Sequence, residues 1–326
     1  MNSRERVLCA LSRKEPDRIP FVEHEIDPYV LKALFGAKAA DPVFVADELG
    51  LDIMTFIMLP PLFVDEHLLP DGRKHQTNGK LHSRKDIHLL DSLVDPVDPK
   101  LYESLEWLVS HKGDRAVVAK MRLGISAMLM SMDLMGFSMA LMDDPELILL
   151  ILRRYVKWCK TAVEQVHKRG ADVLWFFDDI AYRSGPMMSP KIFCDLLLPD
   201  VKELTRNFPL PWIYHSDGDL RPVLDDLLSL GMNGLHPIEP ECMSLKDIKA
   251  IIGEKVCLVG NVSVDVLGCG STIDVEKEVR RCFCDGGKAG YMITSSNSIP
   301  SYALPENVMV MAQTINKLNS SFNYNQ

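Results

Sequence analysis

The sequence predicts a single closed (β/α)8 TIM barrel, and three observations predict it. Short apolar runs alternate with helix-length amphipathic segments, which is the pattern of repeated βα units around a parallel sheet. Eight such runs occur, at 19–25, 53–57, 116–121, 173–179, 212–218, 234–240, 256–262 and 291–297. The 326 residues contain no long linker or low-complexity run, so one large barrel over residues 1–326 is a simpler organisation than two domains.

Helix signals between the runs support the count. Asp143-Asp144-Pro145-Glu146 offers a capping carboxylate, a proline at the first helical position and an acid on the positive helix end. Apolar positions Leu147, Ile151, Tyr155, Cys159, Val163 and Val166 then recur at helical spacing as far as Gly170. Ser189-Pro190 opens another helix in the same way. Segments 225–230 and 245–252 are shorter helices followed by Gly231 and Gly253. Segment 62–90 breaks this rhythm. Its Asp71-Gly72 and Asn78-Gly79 are turn dipeptides between alternating side chains, which predicts a β-hairpin insertion after the second strand.

Composition excludes several classes of function. A net charge of −9 with scattered basic residues argues against nucleic acid as a partner. Arg4, Glu5, Arg6 and Arg13 interrupt the apolar core that a signal peptide needs, and no run is read as a membrane span, so the expected location is the cytoplasm. The eight cysteines lack CxxC spacing and are read mostly as buried small hydrophobes, with no disulfide framework.

The chemistry is expected where the strands stop. Glu23, His24, Glu25, Asp52, Asp178, Asp179, His215, Asp217, His236, Glu239, Asn261 and Asn297 are polar residues at strand ends, and a barrel would gather them at one mouth. His215 and Asp217 lie two apart on an extended strand and share a side, with Glu239 on the next strand. His215, Asp217 and Glu239 could hold Zn²⁺ with an open position, or His215 and Asp217 could form a general acid/base pair. Asp178 and Asp179 are adjacent, so only one enters the mouth. His236 reads as a core histidine more readily than as a ligand. The run from Met121 to Met142 holds seven methionines, which either fill the core or line an adaptable substrate pocket starting at Met121.

The motifs together resemble the uroporphyrinogen decarboxylase superfamily. They are Ser3-Arg4-Glu5-Arg6-Val7-Leu8, Glu15-Pro16-Asp17-Arg18-Ile19-Pro20, His215-Ser216-Asp217-Gly218, Gly234-Leu235-His236-Pro237-Ile238-Glu239-Pro240, Gly260-Asn261 and Ser295-Ser296-Asn297-Ser298-Ile299. The resemblance implies a (β/α)8 barrel with an N-terminal helix entering its first strand. In the decarboxylases an arginine-rich motif follows that strand and meets a polycarboxylate. Here Glu23-His24-Glu25-Ile26-Asp27-Pro28-Tyr29 stands in its place, Asn297 stands where their last histidine falls, and only Asp52 matches an acid of theirs.

The other branch of the superfamily contains zinc-dependent methyltransferases that exchange methyl groups with a corrinoid protein. Their zinc histidine corresponds to His215, while Asp217 and Asn297 replace two cysteines. The site is therefore harder and richer in oxygen than a thiol-activating zinc site. The resemblance implies a methyltransferase that demethylates a small methoxylated or methylated compound. His215, Asp217 and Asp179 would be catalytic, and Glu25, Asn261, Asn297 and Met121 would contact substrate. Zinc is the expected metal, a partner protein would bring the corrinoid, and the family precedent allows a homodimer. A decarboxylase-like lyase and a noncatalytic ligand-binding barrel are the two alternatives.

Overall fold

The computed structural model describes residues 1–69 and 74–322. Seven parallel strands form one curled sheet: β1 (Ile53–Ile57), β4 (Ala116–Met121), β5 (Val173–Phe177), β8 (Trp212–His215), β9 (Gly234–His236), β10 (Cys257–Val259) and β11 (Tyr291–Met292), hydrogen-bonded in that order. The remaining strands pair as antiparallel ribbons, β2 (Val64–Leu68) with β3 (Lys74–Gly79) and β6 (Ala181–Tyr182) with β7 (Gly185–Pro186).

Both faces of the sheet are buried, which explains why its strands read as continuous apolar runs. Val118, Val173, Trp175, Ile213, Val259 and Met292 form an inner cluster, while Val117, Leu174, Phe176 and Tyr214 pack outward under the helices. Each fully buried side chain of this size contributes about 1.5–3 kcal/mol. The N-terminal helix Ser3–Leu11 sends Val7, Ala10 and Leu11 into the inner cluster, so it fills the end of the sheet opposite the catalytic candidates.

The expected first strand at 19–25 is an extended segment with isolated parallel bridges rather than a ladder. Phe21 bridges Ile293, Val22 N donates to Ile293 O at 3.0 Å, and Asp52 N donates to Phe21 O at 2.8 Å. The segment therefore touches both edges of the seven-stranded sheet. Pro16 and Pro20 lack the N–H groups a longer ladder would use. Asp52 precedes β1, so it lies at the opposite end from the mouth, which corrects its place among the strand-end residues. It is fully buried and accepts from Arg6 Nη1 at 2.7 Å, Arg18 Nη2 at 2.8 Å and Phe21 N at 2.9 Å.

The hairpin follows β1, but its turns differ from expectation. Asp71-Gly72 lies outside the described residues. Asn78-Gly79 ends β3 instead of turning, and Arg84–Ser92 is a 3-10 helix. Gly79 is required by close approach, because a Cβ there would meet the Met132 and Asp133 backbone at 2.5 Å. That backbone belongs to the helix Ile125–Asp143, which breaks at Asp133 (φ 54°, ψ 169°). The Asp133 carboxylate caps the second half through Gly136 N at 2.8 Å, and the freed Ser131 carbonyl accepts from Lys80 N and Leu81 N.

This helix has 19 residues and is apolar enough to cross a membrane by length and composition, contrary to the expectation that no run approaches that size. About half of it (56%) is buried within the protein. Its methionines divide accordingly: Met128 and Met132 are core, whereas Met135, Met139 and Met142 face outward.

The next helix, Pro145–Lys168, begins with its proline as expected, but the Asp144 carboxylate does not cap it. Arg84 holds both oxygens at 2.6 Å instead. All eight cysteines are unpaired, and only Cys159, Cys257 and Cys282 are buried, fewer than the sequence suggested.

Candidate active site at the strand ends

The C-terminal ends of β5 and β8 deliver the central group. His215 is the last residue of β8 and is buried, and its Nε2 lies 3.4 Å from Asp179 Oδ1 and 3.6 Å from Asp217 Oδ1. One ligand atom from each of Asp179, His215 and Asp217 falls within 4.8 Å of the others. Asp217 N also donates to Asp179 Oδ1 at 3.0 Å, which ties the two loops together.

The two carboxylates differ in basicity. Burial works against the charge of both. In Asp179 the hydrogen bond and charge of His215 prevail and hold it below the usual carboxylate range. In Asp217 burial prevails with the help of Asp179 and Glu239, and the group is pushed up. Asn297 Nδ2 donates to Asp217 Oδ2 at 2.7 Å, leaving Asp217 Oδ1 buried with no hydrogen-bond partner.

Glu239 does not join this cluster. Arg183 Nε holds its Oε1 at 2.5 Å and Gly218 N holds its Oε2 at 2.8 Å, so both oxygens are occupied. Neighbouring strands bring Glu239 close, as the sequence implied, but an arginine from the β5 loop takes it. Asp178 turns away and accepts from Leu123 N and Ser126 N, with burial raising it to about 6.

The substrate-contact candidates scatter. Glu25 is half-exposed and paired with Lys120. Asn261 is fully buried, donating to Ile238 O at 2.6 Å and accepting from Arg281 Nη2 at 2.9 Å, so it ties loops together instead of facing the mouth. Met121 packs in the outer layer because it has the opposite parity to Val118 and Lys120.

Three buried groups beneath the cluster were less legible. His236 is fully buried, and its Nδ1 lies 2.5 Å from His215 Nδ1. His24 is buried against Trp175 and Phe177, and both its ring nitrogens lack partners. Burial drives both imidazoles well below their ordinary pKa. Lys120 lies 4.1 Å from the Phe177 ring centroid. A lysine at an inward-facing position of an apolar strand was the available signal for it.

Above these residues a cavity of about 320 Å³ opens beside Asp179, with Ser126, Leu129, Met130, Tyr182 and Met187 among its walls. That is the lower end of small-molecule pocket sizes.

The comparisons with known proteins fit this architecture. Methylcobamide:CoM methyltransferase MtaA from Methanosarcina barkeri (strain Fusaro / DSM 804) is 29% identical over 118 residues, and the M. barkeri protein of the same name is 28% identical over 118 residues. Each match covers 36% of this chain and 34% of the relative, so the chain aligns with about a third of their length. Among solved structures, a methyltransferase from Methanosarcina mazei superposes with a TM-score of 0.79 at 19% identity, covering 98% of this chain and 99% of that one. A B12-independent methionine synthase from Shewanella sp. W3-18-1 gives 0.52 at 9% identity, covering 93% and 98%. Residues 70–318 match the family described as uroporphyrinogen decarboxylase (URO-D), and with three quarters of its length in that match the chain belongs to this family and resembles its corrinoid methyltransferase branch.

Proposed function

We propose that the protein is a corrinoid-protein-dependent methyltransferase that removes a methyl group from a small methoxylated or methylated compound. The whole chain acts as one (β/α)8 barrel in this reading, with the segment around Phe21 serving as the eighth strand. The observation that carries the proposal is the Asp179, His215 and Asp217 cluster beside a cavity of about 320 Å³. An acidic mouth disfavours a polycarboxylate. The named M. barkeri methyltransferases support the reaction class.

The donor set fits zinc. Asp217 Oδ1 is a buried oxygen without a partner, and it converges with Asp179 Oδ1 on His215 Nε2. One imidazole and two carboxylates are a ligand combination zinc accepts, leaving a position for substrate. Bound there, zinc would serve as a Lewis acid toward the heteroatom that releases the methyl group. The protein supplies the rest. Asn297 orients Asp217, and Asp217 N orients Asp179. Asp217, which burial pushes up, would give up its proton on binding the metal and hold the metal as the carboxylate. The apolar walls at Leu129, Met130 and Met187 hold the substrate body away from water. A partner protein carries the corrinoid to the open mouth.

Elemental analysis of purified variants tests this reading. His215→Ala and Asp217→Ala should abolish near-stoichiometric zinc, whereas Glu239→Ala should retain it. Protein that binds no zinc even when challenged with the metal would remove the metal-assisted mechanism. Failure to demethylate methoxylated compounds with a reduced corrinoid protein would remove the reaction itself.

A further inference from the structure

The wall of the sheet has a seam. Among the described residues, a single backbone hydrogen bond joins the segment at 19–25 to the chain of β1, from Asp52 N to Phe21 O at 2.8 Å. Beyond it the segment pairs on its other side, where Ile299 N donates to Glu25 O at 3.0 Å and Ile26 bridges Ile299. A cavity of about 360 Å³ lies along the gap, with residues 23–26 on one wall and 53–55 on the other.

Two side chains that line this cavity are short of partners. His24 is only 3% exposed and neither ring nitrogen makes a hydrogen bond, and Thr55 Oγ1 is buried without one. Strand parity puts both on the same side of the sheet, since His24 follows Val22 by two residues and Thr55 follows Ile53 by two, and Val22 and Ile53 belong to the inner cluster. They therefore face each other across the seam from its two chains. The other polar groups of the wall are engaged: Thr294 and Ser295 donate to Glu23, and Lys120 pairs with Glu25. Ile26, Leu31, Val45, Ala46 and Met54 make the wall otherwise apolar. An apolar pocket with a few convergent polar groups is the usual form of a small-molecule site. A buried hydroxyl and imidazole without partners carry a cost that one ligand oxygen would remove. An adjoining cavity shares Ala40, Pro42 and Thr55 with this one and extends to the exposed Ile57 and Trp107, so the seam is reached from the outer surface.

We propose that the seam is a second binding site, for a small uncharged molecule with an apolar body and one hydroxyl or carbonyl oxygen that meets Thr55 and His24. The wall sets this class. A hydroxyl and a neutral imidazole each offer a donor and an acceptor but no charge. An anion would enter beside Glu23 and Glu25, and a cation would find both acids already taken, so either ion would be buried unpaired. The site shares no wall residue with the cavity beside Asp179, and it stands independently of the methyl-transfer reading.

Calorimetric titration of the full-length protein with benzyl alcohol, toluene, benzoate and benzylammonium tests this. Benzyl alcohol should bind best, about three- to tenfold more tightly than toluene, which lacks the oxygen. Thr55→Val keeps the shape and should remove most of that preference. Ala40→Trp adds a ring at an exposed point of the wall and should weaken benzyl alcohol by roughly tenfold or more. Thermal melts show that both variants are folded. Absence of benzyl alcohol binding would mean that water alone answers the two groups, and it overturns the proposal. Tighter binding of either ion, or toluene binding equal to that of the alcohol, overturns it as well. Undiminished binding by folded Ala40→Trp would place the ligand elsewhere and end the assignment of the seam.

Discussion

His215 and His236 face each other Nδ1 to Nδ1 at 2.5 Å, both buried, and a single proton serves the two atoms. The other nitrogen of His236 points at the Ser295 carbonyl, 3.4 Å away, which can only accept. That places the His236 proton on Nε2 and makes its Nδ1 the acceptor. His215 therefore donates from Nδ1 and turns its Nε2 toward Asp179 and Asp217. Facing two carboxylates, that nitrogen is matched by a proton shared with Asp179 or by a cation held between them.

This relationship gives the first prediction. His236→Ala removes the acceptor that fixes the His215 tautomer, as outer hydrogen-bond partners do for metal-bound histidines. Zinc affinity should fall by roughly ten- to a hundredfold, measured by competition with a chromogenic chelator. An unchanged affinity would mean that His236 only fills space.

Glu23 gives a pH prediction. It is buried beneath the mouth, and burial pushes it up to about 8 although Ser295 and Thr294 donate to it. The folded protein therefore holds a proton that the unfolded chain loses near pH 4.5. Stability from this group is complete below about pH 4.5 and declines as pH rises toward about 8, by a few kcal/mol at most. Glu23→Gln should flatten that decline. Urea unfolding at pH 5.5, 7 and 8.5 measures it, and a variant with the wild-type slope would assign the effect elsewhere.

Asp52 should behave as a structural residue. Asp52→Asn removes the negative charge that Arg6 and Arg18 share, and stability should fall by about 3 kcal/mol. Zinc content should not change, since the residue sits at the far end of the sheet. Thermal melts alongside elemental analysis separate the two effects, and a zinc-free but stable variant would contradict this assignment.

Gly218 adopts φ +87°, and a Cβ there would meet the Ala181 carbonyl carbon and the Tyr182 oxygen at 2.6 Å. Gly218→Ala should cost about 1–3 kcal/mol and displace the β6–β7 ribbon from the mouth. Chemical denaturation measures the first effect. Protease cleavage near Tyr182 reports the second, and resistance equal to wild type would show that the ribbon had not moved.

The sheet was legible because its strands are short apolar runs buried on both faces. β1 and β4 occupy the expected residues, whereas the later strands stop two to five residues before the polar positions that were counted with them. At those positions the chain leaves the ladder to form site loops. The segment at 19–25 could not reveal its partial pairing, since apolar pattern does not record missing N–H groups. Spacing also placed His215 and Asp217 on one side. It could not show that Arg183 would take Glu239, because that contact joins loops 56 residues apart. Met121 was assigned by composition, and strand parity would have turned it outward. Lys120 carried a readable sign, a charge at an inward position of an apolar strand.

The helix Ser3–Leu11 stoppers one end of the sheet with Val7, Ala10 and Leu11. A vessel with one doorway orders its traffic. In the proposed reaction the small molecule would settle deep before a bulky carrier covers the entrance, and the demethylated product would leave only after that carrier withdraws. Turnover by the proposed reaction would then be paced by docking and undocking at the rim, and slow steps would appear as a dependence on carrier concentration.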